Sequence, residues 1–297
     1  MSSTVAEERV KNTAASLFLA DLPPETSVHR GYSETWLRRN LPPQSSDDYF
    51  VVFTDVERGI IDMDNLPGRL DYSVSLQILI LKVTGLIHEQ AASQFDSLLT
   101  VIASEIGVRR RISFRGATRT ETPDRDKEAD RSWSPRHLPG QAAQQWPSVA
   151  LEVGYSQSTQ KLHRDIAYWI NYSNGQVKQA ITIDIKNSGA ITIASWAASY
   201  TPTTTVVTKS GRNSTPSADS RPPPIKAQEI KITRERGRPA IEGGDLVIPH
   251  SSMFGSIPEI EPRDFIFTAE MLLEDFAEFV WEAIDAAEVE KRGRRGV

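Results

Sequence analysis

Two carboxylates carry the most specific chemical suggestion in the chain. Asp130 lies in the polar segment KEADRSWSP, and Glu152 lies in WPSVALEVG. In the second stretch Val149, Leu151 and Val153 share one face of a strand while Ala150, Glu152 and Gly154 share the other. Two carboxylates converging at a sheet edge repel each other unless a cation lies between them, which suits an oxygen-liganded divalent metal, magnesium or manganese. A metal held in that way acidifies a water and stabilises charge on a phosphoryl oxygen, the two requirements of phosphodiester hydrolysis. The plainer alternative is an exposed aspartate and a sheet-edge glutamate, each paired with a nearby arginine.

Other residues compete for a role. Asp184 and Lys186 form a literal D-x-K on a strand, opposite an isoleucine face, and are the rival catalytic pair from spacing alone. Gln157 could contact metal-bound water or cap a helix, with Ser156 and Ser158 as caps. Arg109, Arg110, Arg111, Arg115 and Arg119 crowd ahead of Asp130 and supply a local positive field; Arg111, Arg115 and Arg119 are the candidate nucleic-acid contacts. Their alternative is a charged edge strand protected from aggregation. His88 reads as a buried core histidine, Glu105 as surface charge, and Trp133, Trp146 and Trp169 as core or site-wall aromatics.

The elements that must position these groups follow from periodicity. Residues 1 to 47, rich in Ser, Glu, Pro and Arg, read as a flexible tail with short helical turns. YFVVF and LDYSVSLQILILKV read as strands. Ala92, Phe95, Leu99, Ile102 and Ile106 draw a helical stripe over residues 88–106, and RRRISFRGATRT reads as a basic strand. After the Glu152 strand, Leu162, Ile166, Trp169 and Ile170 mark a second helix, and Asn187, Ser188 and Gly189 turn a hairpin. Residues 201 to 224, biased to Ser, Thr and Pro, read as a flexible insertion. An acidic amphipathic helix starts at Thr268, and KRGRR lies in a basic tail at 291–297. A single domain over 48–290 accounts for this order.

The succession LILKVTGLIHEQAASQF, EIGVRRRISFRGATR, KEADRSWSP, WPSVALEVGYSQSTQKLHRDIAYWI and NGQVKQAITIDI resembles the Uma-two-like branch of the PD-(D/E)XK nuclease superfamily, in particular its fungal proteins. The resemblance spans Tyr72 to Ile185, and DLVIPHSSMFGSIPE with the final helix is similar to the tail of that group. It implies an α/β, restriction-endonuclease-like fold: a central mixed sheet flanked by helices, with a metal site at its open end. It implies that Asp130 is the motif aspartate, that Glu152 is the acidic residue of the (D/E)XK strand, and that Glu89 completes the metal set. The lysine position is Gly154, a departure from the pattern. In the superfamily this lysine can move to the following helix, which makes Lys161 its counterpart here, with Arg164 nearby.

The chain has 297 residues, 34 basic against 39 acidic, a net charge of −5, so any polyanion site must be a local patch. The absence of cysteine excludes disulfides, thiolate metal sites and cysteine nucleophiles. No apolar run reaches the roughly 20 residues of a membrane span. These observations fit an intracellular protein, nuclear or cytoplasmic. The leading expectation is a magnesium-dependent endonuclease-like protein acting on DNA, with RNA as the other polyanion and a homodimer as an open arrangement. The rival is a nuclease fold without catalysis that binds DNA or serves as a protein scaffold.

Overall fold

The computed structural model describes residues 11–41, 45–136, 144–155, 159–200, 221–255, 257 and 260–295. It is a mixed α/β protein, as expected, in which two large mixed sheets are flanked by helices. The first sheet has the order β1-β2-β4-β3-β7-β6, formed by Ser27–Arg30, Tyr49–Thr54, Arg69–Ser73, Ile78–Val83, Arg119–Glu121 and Arg125–Glu128 for β1, β2, β3, β4, β6 and β7. The second has the order β13-β12-β11-β10-β9-β8-β5. Its strands are β5 (Ile112–Phe114), β8 (Arg131–Pro135), β9 (Val149–Tyr155), β10 (Gln179–Ile185), β11 (Ile191–Ala197), β12 (Ile225–Glu235) and β13 (Arg238–Glu242). A short pair, Leu246–Ile248 with Phe265–Phe267, closes the set as β14 and β15.

The expected tail is structured where it is described. A helix over residues 11–18 (α1) is followed by β1, parallel to β2, and by α2 (Glu34–Asn40), capped by Ser33 and anchored by buried Leu37. Few apolar residues are needed because the sheet beneath supplies the apolar surface. The basic stretch also departs from the single strand expected of it. Arg109–Arg111 form a 3₁₀ turn, Ile112–Phe114 joins the second sheet, and Arg119–Glu121 joins the first. The polar segment around Asp130 forms β7 before it and β8 after it, so the chain changes sheet across Ala129 and Asp130. At the other end, α6 (Glu278–Arg295) runs through most of the expected basic tail, with Lys291 paired to Asp47 and Arg292 to Glu288. Residues 201–220 of the expected insertion lie outside the described residues.

The alternation read from β9 holds. Val149, Leu151 and Val153 join Ile181, Ile183 and Ile185 in the main core under α3 (Leu86–Glu105), α6 and the π-helical turn Met271–Ala277. Phe95, Leu99 and Ile102 fix α3 there, each such buried side chain contributing about 1.5–3 kcal/mol. The opposite face of β9 and β10 lies against α4 (Thr159–Tyr172) through Ala150, Ala180, Ile166, Trp169 and Ile170. Glu152 is on this second face, and β9-α4-β10 is a parallel crossover unit.

Candidate functional site

Asp130 sits where the chain crosses between sheets, and its backbone N–H already donates to Leu151 O at 3.1 Å, which docks it beside β9. Both of its carboxylate oxygens face protein donors or cations. Oδ2 accepts from Val153 N–H at 2.7 Å and from Lys82 Nζ at 3.1 Å. Oδ1 lies 3.0 Å from His88 Nε2, an ion-pair distance without hydrogen-bond alignment. Lys82 also donates to Val153 O at 2.7 Å, and His88 Nδ1 lies 3.0 Å from Asp48 Oδ2. Burial opposes charge on Asp130, but His88 and Lys82 outweigh it and hold the carboxyl well below the ordinary range. Burial likewise opposes charge on His88, and the fields of Asp130 and Asp48 reverse that effect, raising the imidazole to about 9. Asp130–His88–Asp48 is therefore an anion–cation–anion chain. The sequence reading of His88 as a buried, hydrogen-bonded residue is correct, but periodicity gave no sign of its charge.

Glu152 projects from the α4 side of β9. Its Oε1 accepts from Trp169 Nε1 at 2.6 Å and lies 3.7 Å from Lys127 Nζ. Burial raises its pKa to about 7, Lys127 works against the rise, and Asp165 and Asp130 add to it. Lys127 lies 2.9 Å from Asp165 and 3.3 Å from Asp71. Lys161 grips both oxygens of Asp165 at 2.6 Å, one helical turn along α4, and Arg125 holds Asp71 with two bonds of 2.6 and 2.5 Å. Burial lowers the Lys161 pKa in spite of Asp165, whereas Lys127 and Lys161 keep Asp165 below the usual carboxylate range against its own burial.

Asp130, Glu152 and Lys161, three residues expected to form one site, do line one cavity of about 20 Å³, with Asp71, Lys82, Lys127 and Asp165 in the same wall. That volume holds about one water. Glu89 does not line it; it bonds Arg69 at 2.7 Å, Thr84 at 2.7 Å and Arg131 at 3.1 Å. Asp184 and Lys186 also lie elsewhere, paired with each other at 2.8 Å and joined through Thr159 Oγ1. Gln157 lies outside the described residues. Arg119 pairs with Asp64 and Glu121, and Arg115 donates to Gln145 O. Arg111 remains exposed, together with Arg109, Arg110 and Arg136.

Comparisons with known proteins add little to this geometry. No family model and no curated protein matches the chain. Among solved structures, “a putative nuclease belonging to DUF820” from Anabaena variabilis is similar at 11% identity and a TM-score of 0.36, over 75% of this chain and 97% of that one.

The donor set does not fit a divalent metal. Both oxygens of Asp130 are engaged by cations or an N–H, Glu152 is biased toward its neutral form, and Asp165 is neutralised by two lysines. Four cationic and five anionic side chains line the cavity, and the cations His88 and Arg125 adjoin it, so the protein itself supplies enough positive charge to offset the carboxylates. Among the described residues no three acidic or histidine side chains are grouped to hold a metal ion. Periodicity missed Lys82, Lys127, Asp71 and Asp165. The signal available was a lone charge at the end of ILILKV, a lone aspartate inside LDY, the alternation of Arg125 and Lys127, and the i,i+4 spacing of Lys161 and Asp165.

Proposed function

We propose that the chain is a nuclease-like protein of the restriction-endonuclease-like type that binds nucleic acid through its backbone phosphates and does not cleave it with a metal. The observation that carries this reading is the engagement of Asp130 by the protein itself, Oδ2 by Lys82 and the Val153 N–H and Oδ1 by the His88 ion pair. Support for the nuclease-like part comes from the order of the motifs and from the placement of Asp130, Glu152 and Lys161 on one cavity. Support for the nucleic-acid part comes from the edge strand β5. Arg109, Arg110 and Arg111, in the 3₁₀ turn ahead of it, and Arg136, just after β8 beside it, are exposed, and among the described residues none of the four enters an ion pair. The Arg136 N–H donates to Arg111 O at 2.6 Å, which brings the two ends of the patch together. Phosphate contacts need charge and reach rather than base readout.

The test is duplex DNA binding measured across salt concentrations, with plasmid cleavage measured alongside. Binding should weaken with salt, and Arg110→Ala with Arg136→Ala should reduce the slope of log K against log salt by about 2, roughly one for each phosphate no longer neutralised. No cleavage should accompany it. A second reading, hydrolysis with magnesium or manganese at Asp130 and Glu152, is favoured by their meeting at one cavity with Lys161. Metal-dependent cleavage abolished by Glu152→Gln would establish that reading instead.

A further inference from the structure

The first sheet presents two unlike features on one face. Phe50, Val52, Ile78 and Ile80 form an apolar strip, and Lys82, Asp71 and Lys127 continue it as the ionic wall of the cavity, with Arg125 beside them. The strip is covered by α1 and the turn after it, through Ala15, Phe18, Leu19 and Leu22. Phe18 also lies under the Arg125 guanidinium at 4.9 Å. Arg164 on α4 ties the segment down by donating to Leu17 O and, at 2.6 Å, to Asp21 Oδ2.

The covering segment differs in kind from what it covers. None of its side chains is fully buried, whereas Phe50, Val52, Ile78 and Ile80 beneath are 0–5% exposed. It joins no sheet before Ser27, and Asp21 turns the chain with φ of 63°, a conformation L-residues adopt at a cost. Segments held by few buried contacts and no ladder are the first to open in native proteins. On the far side of Phe50 lies an open cleft of about 410 Å³, reached by Pro23 and Glu25 at the base of the same segment. Among the described residues, Phe50 is the one that lines both spaces.

We propose that residues 11–22 are a removable cap that holds Phe50 shut between the open cleft and the Asp130–Glu152 cavity. Lifting the cap frees Phe50 to move and joins the two spaces. The cap stands on contacts of its own and does not depend on the nucleic-acid reading.

The chain contains no cysteine, so one introduced thiol reports access cleanly. Ile80→Cys reports the capped face of β4, and Leu79→Cys the opposite face of the same strand. Each is placed in the full chain, with and without Phe18→Ala and Arg164→Ala together, and labelled with an aromatic disulfide reagent. The cap predicts that the double change speeds labelling of Ile80→Cys by about tenfold or more and leaves Leu79→Cys unchanged. Equal acceleration at both thiols would mean general loosening of the sheet, and no acceleration at Ile80→Cys would mean a permanent part of the fold; either result overturns the proposal. DNA binding unchanged in the same variants would leave the cap intact, while loss of binding in the arginine-patch variants bears on the nucleic-acid reading alone.

Discussion

Asp130 accepts the Val153 N–H at 2.7 Å, so the aspartate is hydrogen-bonded to the residue next to Glu152 on β9. Two acidic residues 22 positions apart are thereby fixed against each other by backbone, not by a shared ion. The cations that offset them come from β4, α3 and β7 as Lys82, His88 and Lys127. A buried lattice of this kind is not by itself a source of stability, but breaking one member leaves an uncompensated charge.

His88 gives the lattice a pH dependence. Its folded pKa of about 9 lies above the unfolded value near 6.5, so the stability it contributes is full below pH 6.5 and is lost as pH rises through 9. Glu152 acts in the same direction at lower pH. Its pKa is raised to about 7, so stability falls as pH rises from about 4.5 to 7. Urea unfolding at pH 6, 7.5 and 9 should show a steady decline, and His88→Gln should flatten its upper part. An unchanged slope in that variant would place the titration elsewhere.

Asp165 is the acid on which two lysines converge. Asp165→Asn takes a close carboxylate from both Lys127 and Lys161, leaving Lys127 with Asp71 at 3.3 Å and Glu152 at 3.7 Å, and should cost about 3–5 kcal/mol in urea unfolding. Asp184→Asn, whose group pairs with the half-exposed Lys186, should cost under about 1 kcal/mol. Similar losses in the two variants would contradict the difference drawn between the two sites.

Gly85 determines how closely the chain over Ser46 and Asp47 can lie against the start of α3. A Cβ there would meet Ser46 O at 2.4 Å, and the Gly85 N–H donates to Asp48 at 2.9 Å. Gly85→Ala should destabilise by about 1–3 kcal/mol and separate Asp48 from His88. The His88 pKa, followed by NMR titration of its ring protons, should then fall. A retained value near 9 would show that Asp130 alone sustains the charge.

Much of the fold was legible because one-sided burial leaves a period. The stripe of α3, the alternation of β9 and the hairpin at Asn187 to Gly189 all appear where the apolar spacing puts them. The N-terminal elements were not legible, since β1 and α1 rest on a sheet whose strands lie later in the chain. Within the site, Asp130, Glu152 and Lys161 could be picked out by motif order, but Lys82 and Lys127 could not. Their partners, Asp130 between β7 and β8 and Asp165 on α4, are 48 and 38 residues away and become neighbours through tertiary packing alone. Glu89, singled out by the resemblance, bonds Arg69 and Arg131, and the Asp184–Lys186 pair, singled out by spacing, is closed on itself.

The central claim is that protein cations, and not a divalent metal, balance Asp130 and Glu152. Thermal unfolding of the full chain, and of the form loosened by Phe18→Ala and Arg164→Ala, titrated with magnesium and with manganese, tests it most directly. A group that binds the folded state at a hundred times its Kd adds about 2.7 kcal/mol, a shift of several degrees. The account predicts no saturable rise in Tm in either form. A saturable rise that Glu152→Gln removes would contradict it.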